Sequence, residues 1–262
     1  MRPLIALLTD FGTRDHYAGT MKGVILTICP DATLVDLTHD IPAHDVLAGS
    51  LELAAAYRYF PVGTIFVAVV DPGVGSARRG IAADTGDYRL VAPDNGVLTA
   101  VLRETPSKKT VELTERRYAR PTVSRTFEGR DRFAPAAAWL AKGIQLSALG
   151  RPVAEIHKLD IPVPEAAPGQ LRGVVLRVDR FGNLVTNIDR KAVEHVAHGG
   201  SVAIEVGPHR IERLVATYAE LPADGVGALF GSTDHLELAA PSASAAERLG
   251  VGRGAVITVG IK

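Results

Sequence analysis

The sequence predicts an α/β N-terminal domain with a mostly parallel sheet, followed by a smaller C-terminal β-barrel domain. Two observations carry this prediction. In the first half, short apolar runs alternate with segments of helical periodicity, which favours a sheet covered by helices on both faces. In the second half, short strand-like runs are separated by Gly, Asn and Asp, which is typical of a small barrel or sandwich.

The elements of the first half follow from local patterns. The run 64–70 is rich in β-branched residues and predicts a buried strand. Pro30 ends the first helical pattern, and Asp45 is placed to cap the second. Strands are predicted over residues 4–8, 33–37, 64–70 and 88–91, and helices over 15–29, 45–57 and 133–142.

We divide the chain into an N-terminal domain over residues 1–151, a linker over 152–169 and a C-terminal domain over 170–262. The linker holds four prolines and shows neither helical nor strand periodicity. Strands of the C-terminal domain are predicted over 174–178, 184–188, 202–206, 236–239 and 255–261.

Net charge, hydropathy and cysteine content indicate which kinds of binding partner and which cell compartment to expect for this protein. Lys plus Arg number 29 and Asp plus Glu number 29, so no net positive charge favours a nucleic-acid partner. The apolar runs are far shorter than the roughly 20 residues that span a bilayer. One cysteine, Cys29, cannot form an internal disulfide. We therefore expect a cytoplasmic protein that binds neither nucleic acid nor membrane.

Three predicted strands are followed by an aspartate, at Asp10, Asp71 and Asp94. Ligands of open α/β sheets bind beyond the carboxyl ends of the strands, so these acids are candidates for one crevice. Asp is also a common turn residue, which is the alternative for each. The loop after Asp71 is glycine-rich but lacks the Lys-Ser/Thr of a phosphate-binding loop. We interpret Arg78 as the ion-pair partner of Asp71.

Metal chemistry is not expected. The candidate ligands lack the close spacing of known metal sites, and no Gly-x-Ser-x-Gly nucleophile motif occurs. We predict no metal and no cofactor. The side chains considered as metal ligands are those of His16, His39, His44, Asp15, Asp40 and Asp45.

A polar strand–turn–strand opens the second domain, with Asp179, Asn183 and Asn187 at its turns. Two interpretations stay open. The side chains satisfy a β-turn, or they bind a ligand, since a carboxylate can hold an ammonium and an amide can pair with an adenine edge.

Several long motifs resemble the S-adenosyl-L-methionine (SAM) hydrolase family, also called SAM hydroxide adenosyltransferases, which is related to SAM-dependent fluorinases and chlorinases. The motifs run nearly from end to end: LLTDFGTRDHYAGTMKGVI, ICPDATLVDLTHDIPAHDV, FPVGTIFVAVVDPGVGS, APDNGVL, TFEGRDRFAPAAA, VDRFGNLVTNI and GSTDHLELA. The resemblance implies hydrolysis of SAM to adenosine and L-methionine, with SAM as substrate and no cofactor. It also implies a homotrimer with active sites at subunit interfaces.

The resemblance also assigns roles to residues. Asp71 and Arg78 would position the attacking water. The remaining residues would bind substrate: Asp10 the ribose hydroxyls, Asp15 the region near the methionine end, Phe127 the nucleoside, Asp179 the ammonium, Asn183 the adenine and Ser232 the carboxylate region.

The chain departs from the family pattern at two places. The family's water-positioning histidine is replaced by Glu128, within TFEGRD, and an expected Asn near the C-terminus is replaced within Ala240-Pro241-Ser242. We assign Glu128 a catalytic role, as acceptor of the water proton or as its orienting group. The alternative is that Glu128 only forms an ion pair with Arg130 or Arg132.

Two rival functions remain. A SAM-dependent halogenase would use chloride or fluoride in place of water, but a halide is disfavoured beside carboxylates such as Asp71 and Glu128. A non-catalytic SAM or adenosine sensor would keep the binding residues without turnover.

Overall fold

The computed structural model describes residues 2–262, which divide into two compact units at Ile161/Pro162. This boundary lies inside the segment 152–169 that is predicted to be a linker. Each unit has its own buried core.

The first unit alternates strands with helices. In chain order these are β1 (Leu4–Thr9), α1 (Tyr17–Ile28), β2 (Thr33–Thr38), α2 (Val46–Ala56), β3 (Ile65–Val69), β4 (Gly80–Asp84), β5 (Arg89–Pro93), α3 (Thr99–Glu104), β6 (Lys109–Leu113), α4 (Ala134–Ala141) and β7 (Gly150–Pro152).

These strands form one sheet in the order β2-β1-β3-β5-β4-β6-β7. The strands β2, β1, β3 and β5 run parallel, and the rest of the sheet is antiparallel. The sheet separates two apolar clusters, one packed with α1 and α4 and the other with α2 and α3. The predicted α/β class is confirmed. The strand β4 escaped prediction because its sequence, GIAAD, has little β-branched character.

Parallel pairing brings the carboxyl ends of three strands to one edge of the sheet. Thr9 of β1 lies beside Val69 of β3 in the register, and β3 pairs in turn with β5. Asp10 and the Asp71 loop therefore leave the sheet at neighbouring points, where ligand sites of such sheets form.

Two helix starts bear on the site. Asp45 caps α2 by accepting a hydrogen bond from the Ala48 N–H at 2.9 Å, as predicted. The helix predicted over 133–142 is preceded by one π-helical turn, Gly129–Phe133, which runs directly into α4. Turns of this kind occur frequently at functional sites.

The second unit is mostly β-structure. Its elements are β8 (Glu165–Ala167), β9 (Gln170–Val178), β10 (Leu184–Asp189), α5 (Arg190–Ala197), β11 (Val202–Val206), β12 (His209–Ile211), β13 (Gly227–Phe230), β14 (His235–Ala239), α6 (Ala245–Leu249) and β15 (Val256–Ile261).

All strand pairs of this unit are antiparallel, in the order β12-β11-β15-β9-β10-β14-β13, with β8 also on β9. Inward side chains from these strands form one core, so the sheet is strongly curved and barrel-like, as predicted. Strand β8 lies in the predicted linker, where its three residues pair with the start of β9.

Candidate active site

Asp71 and Arg78 form the centre of the site. Asp71 follows β3, and a tight turn brings the chain back so that Arg78 Nε donates to Asp71 Oδ1 at 2.8 Å while Nη2 contacts Oδ2. Gly75 has a φ of +79° in this turn, and a Cβ there would lie 2.3 Å from the Arg125 carbonyl oxygen. The predicted pairing of Asp71 with Arg78 is therefore present, and glycine at 75 permits the return of the chain.

Glu128 approaches the same guanidinium from a distant part of the chain. Its Oε2 lies 2.7 Å from Arg78 Nη2, and its Oε1 lies 3.6 Å from Arg132 Nε. The alternative pairing with Arg130 is wrong, because Arg130 binds Asp131 instead. Glu128 thus contacts Arg132 only loosely and Arg78 closely, which places it in the Asp71–Arg78 group.

The three side chains are largely removed from solvent, with Asp71 5%, Arg78 10% and Glu128 11% exposed. Burial raises the pKa of Asp71; Arg78 lowers it and Glu128 raises it again, and the net pKa is above that of an ordinary aspartate. Burial also opposes the charge of Arg78, but the two carboxylates outweigh it and raise its pKa. The centre therefore holds one permanent cation between two carboxylates.

A buried ion-pair network anchors the segment that carries Glu128. Asp131 is fully buried and accepts hydrogen bonds from Arg130 at 2.7 and 2.8 Å and from the Ser124 N–H at 2.8 Å. Burial works to raise the pKa of Asp131, but these donors outweigh it and the pKa is lowered. Asp131 thereby ties residue 124 to the π-helical turn and holds Glu128 in place.

Asp71 and Glu128 border a cavity of about 310 Å³. Asp10 lies on its wall, with Oδ2 accepting the His44 N–H at 2.9 Å. Phe127 makes edge contacts with Phe11 and Tyr17, at ring-centroid distances of 5.8 and 5.2 Å. The structure thus brings four predicted residues, Asp10, Asp71, Phe127 and Glu128, to one cavity, with Arg78 directly behind.

Two other acids of the first unit lie elsewhere. Asp94 is paired with Arg79 at 2.5 Å and accepts the His157 N–H at 2.7 Å, so its carboxylate makes structural contacts and does not line the cavity. Asp15 is exposed in the loop before α1 and does not line the cavity. Its role near the methionine end stays a prediction.

Asp179 and Asn183 organise the hairpin between β9 and β10. Asp179 accepts hydrogen bonds from the N–H groups of Phe181 and Asn183 and from the Asn183 side-chain amide, all at 2.8–2.9 Å. Asn187 accepts the Val174 N–H and donates to the Pro162 carbonyl. The turn interpretation fits Asp179 and Asn183, whereas Asn187 lies within β10 and bonds residues 162 and 174 instead. Phe181 at the tip of the turn is 77% exposed.

Ser232 lies exposed in the turn between β13 and β14. Beneath this turn the buried Glu237 accepts a hydrogen bond from the Tyr218 hydroxyl at 2.7 Å. Burial, this hydrogen bond and the charge of Asp179 raise the pKa of Tyr218. Sequence reasoning missed this pair, since a single Tyr and a single Glu without a motif carry no signal of proximity.

The residues that line the cavity also include some that sequence reasoning missed. Tyr17 falls in the helix predicted over 15–29 and was not predicted as a site residue, yet it is 41% exposed and faces the cavity. Within residues 2–262, no three His, Cys, Asp or Glu side chains are grouped as metal ligands. Over the same residues, no helix is long and apolar enough to cross a membrane.

Comparison with protein families gives a match over most of the chain. The SAM hydroxide adenosyltransferase N-terminal domain matches residues 5–150, and the C-terminal domain of the same family matches residues 173–258. The chain belongs to this family. The family assignment made from the motifs is thereby confirmed.

Curated relatives of the chain include hydrolases and fluorinases. An (R)-S-adenosyl-L-methionine hydrolase of Thermus thermophilus is 38% identical over 97% of this chain and 98% of its own. A hydrolase of the same name from Salinispora tropica is 37% identical over 95% and 94%. A fluorinase of Actinopolyspora mzabensis is 31% identical over 94% and 93%.

Solved structures resemble the chain over nearly its whole length. An uncharacterized conserved protein from Thermotoga maritima gives a TM-score of 0.92 at 33% identity, covering 97% of this chain and 99% of its own. A conserved hypothetical protein from Thermus thermophilus gives a TM-score of 0.81 at 35% identity, covering 99% and 100%.

Proposed function

We propose that the protein hydrolyses S-adenosyl-L-methionine to adenosine and L-methionine, and that the (R)-epimer at sulfur is its substrate. The observation that carries the proposal is the group of Asp71, Arg78 and Glu128 beside a cavity that also holds Asp10. Four curated relatives at 35–38% identity bear the name (R)-S-adenosyl-L-methionine hydrolase.

The reaction needs an aligned oxygen nucleophile more than it needs an acid or a metal. A water oxygen attacks the ribose C5′, the C5′–S bond breaks, and methionine leaves as a neutral thioether. The sulfonium is already a good leaving group, so positioning is the main demand, and it can supply roughly 7–11 kcal/mol in favourable cases.

Asp71 and Arg78 hold the attacking water in this scheme. Asp71 stays ionised through its bidentate contact with Arg78, and it accepts a hydrogen bond from the water. Arg78 keeps its charge throughout and neutralises one of the two carboxylates, which limits their mutual repulsion.

Glu128 takes the proton that the water loses. Its Oε2 contacts Arg78, whereas Oε1 has only the long 3.6 Å contact with Arg132 and retains lone pairs. Glu128 also borders a second, polar cavity of about 700 Å³, lined among others by Ser76 and Arg132. This cavity gives the proton a route to solvent.

The substrate-binding roles that we propose follow the family motifs. We propose that Asp10 binds the ribose hydroxyls, Phe127 packs on the nucleoside and Asp15 lies near the methionine end. From the second unit, Asp179 would bind the ammonium, Asn183 the adenine and Ser232 the carboxylate region. No cofactor takes part, and we place the protein in the cytoplasm, which fractionation of cells that produce it would test.

The test incubates purified protein with each sulfur epimer of SAM in ¹⁸O-labelled water and follows products by chromatography and mass spectrometry. We expect adenosine and methionine in equal amounts from the (R)-epimer, with one ¹⁸O at the adenosine 5′-hydroxyl. Halogenated deoxyadenosine in the presence of chloride or fluoride would instead indicate the halogenase function. Tight SAM binding without any product would indicate a sensor and overturn the proposal.

We further propose a homotrimer whose sites take residues from neighbouring subunits. Co-expression of an Asp71→Asn chain with an Asp179→Ala chain tests this, because the two changes lie in different units. Random assembly should leave about a quarter of shared sites intact, so activity should far exceed that of either variant alone, each of which is strongly impaired. A light-scattering mass of one chain, or no recovery in the mixture, would contradict shared sites.

A further inference from the structure

We propose that His39 is a positioning residue that sets the Asp10 loop through the hydroxyl of Thr9. The inference rests on the proposed function for Asp10, and it adds a residue to which no role in the reaction has been assigned. His39 is 5% exposed and lies outside the cavity lining, so it acts through Thr9 and not by touching substrate.

Both ring nitrogens of His39 lie near polar side chains, but only Nδ1 makes a hydrogen bond, whereas Nε2 approaches a carboxylate without hydrogen-bond geometry. Its Nδ1 lies 2.8 Å from the Thr9 hydroxyl oxygen, and its Nε2 lies 3.0 Å from Asp36 Oδ1. Asp36 in turn accepts from Lys22 Nζ at 2.5 Å. Burial works to raise the pKa of Asp36, but the contacts with Lys22 and His39 outweigh it, and the pKa is lowered. A charged carboxylate thus stands at the outer end of the relay.

The donors of this relay follow from the partners. Lys22 can only donate, so Asp36 accepts, and an ionised carboxylate 3.0 Å from His39 Nε2 favours the tautomer with its hydrogen on Nε2. In the neutral ring Nδ1 is then an acceptor, and the Thr9 hydroxyl donates to it. The Thr9 oxygen keeps a lone pair for the Phe11 N–H, which lies 3.2 Å away.

The relay ends on the backbone that carries Asp10. Besides the Phe11 contact, the Gly12 N–H donates to the His39 carbonyl at 2.7 Å, and the Ile41 N–H donates to the Thr9 carbonyl at 3.4 Å. The His39 side chain therefore contacts Thr9, and the His39 carbonyl binds the backbone of Gly12. Asp10 lies between these two contacts in the chain, and its carboxylate also accepts the His44 N–H.

Two plainer interpretations fit less well. A Thr-His-Asp set resembles a nucleophilic arrangement, but Thr9 has no exposed surface and its hydroxyl points into the relay. A histidine that merely packs in the core would not need polar partners at both nitrogens. The Thr9–His39 hydrogen bond below this loop, with the Asp36 carboxylate 3.0 Å behind it, indicates control of the loop's position.

Matched variants at His39 separate the two nitrogens. In His39→Asn the amide oxygen reaches the place of Nδ1, whereas in His39→Gln the longer amide reaches only that of Nε2. We expect His39→Gln to raise KM for SAM roughly 10- to 100-fold with a smaller change in kcat, since displacing a binding group by about 1 Å is costly. In His39→Asn, the KM for SAM should stay much closer to that of the parent. Thr9→Val should match His39→Gln, and the double variant should be no worse than either.

Product binding distinguishes positioning from general damage. Adenosine carries the ribose that Asp10 would hold, whereas methionine does not. Calorimetry should show weakened adenosine binding in His39→Gln and Thr9→Val, with methionine binding unchanged. An equal loss for both ligands, or a lowered Tm with unchanged adenosine Kd, would overturn the inference. Absence of hydrolysis in the parent chain would instead count against the proposed function, because the binding measurements do not depend on turnover.

Discussion

Replacing Asp71 with Asn should lower kcat by about 10²- to 10⁴-fold and leave KM for SAM nearly unchanged. Asn is close in shape but carries no charge, so it cannot hold Arg78 and the water together as the carboxylate does. The exposed Asp87, in the turn between β4 and β5, provides the matched control. Asp87→Asn should behave as the parent, and steady-state kinetics on both variants checks the expectation.

The pH profile should show the same carboxylate. Burial raises the pKa of Asp71, and the ionised form is the active one. As pH decreases, activity should therefore be lost at a higher pH than it would be with an ordinary aspartate. In the window between the ordinary and the raised pKa, the folded state binds more protons than the unfolded state, so stability decreases as pH rises. Ionisation of Asp71 therefore lowers stability across this window, and thermal unfolding of the parent as a function of pH measures this. An unchanged kcat in Asp71→Asn would show that Asp71 takes no part in the reaction.

Replacing Glu128 with Gln should also lower kcat by about 10²- to 10⁴-fold, because an amide cannot accept the proton of the attacking water. Glu128→His should retain far more activity, since a neutral imidazole accepts a proton and histidine is the residue expected from the family motif. Both changes remove the negative charge beside Arg78. Their difference therefore reports proton acceptance and not electrostatics alone.

Two further variants complete the Glu128 experiment. Glu155→Gln changes an exposed glutamate of the same unit and should leave kinetics unchanged. Arg132→Gln removes the loose 3.6 Å partner and should have a small effect if that ion pair is only structural. Full activity in Glu128→Gln would reduce Glu128 to an ion-pair partner of Arg78. No adenosine from the parent, with release restored in Glu128→His, would mean that this chain has lost hydrolase activity.

The strand-end aspartates show how far sequence reasoning reaches into the site. Asp10 and Asp71 were predicted to meet because parallel strands end at one edge, and both border the cavity. Asp94 satisfies the same pattern, yet Arg79 and the His157 N–H occupy its carboxylate. No local rule separates these cases, since the difference lies in partners that arrive from elsewhere in the chain.

The sequence by itself determined the alternation of strands and helices, the shift to short antiparallel strands, and the Asp71–Arg78 pair. These depend on periodicity and on a short loop, which are local properties. Only the tertiary structure decided that Glu128 contacts Arg78 in preference to Arg130, and that Asp36, His39 and Thr9 line up below the Asp10 loop. Both require segments distant in the chain to pack against one sheet edge, and the geometry of that packing is set by the whole core.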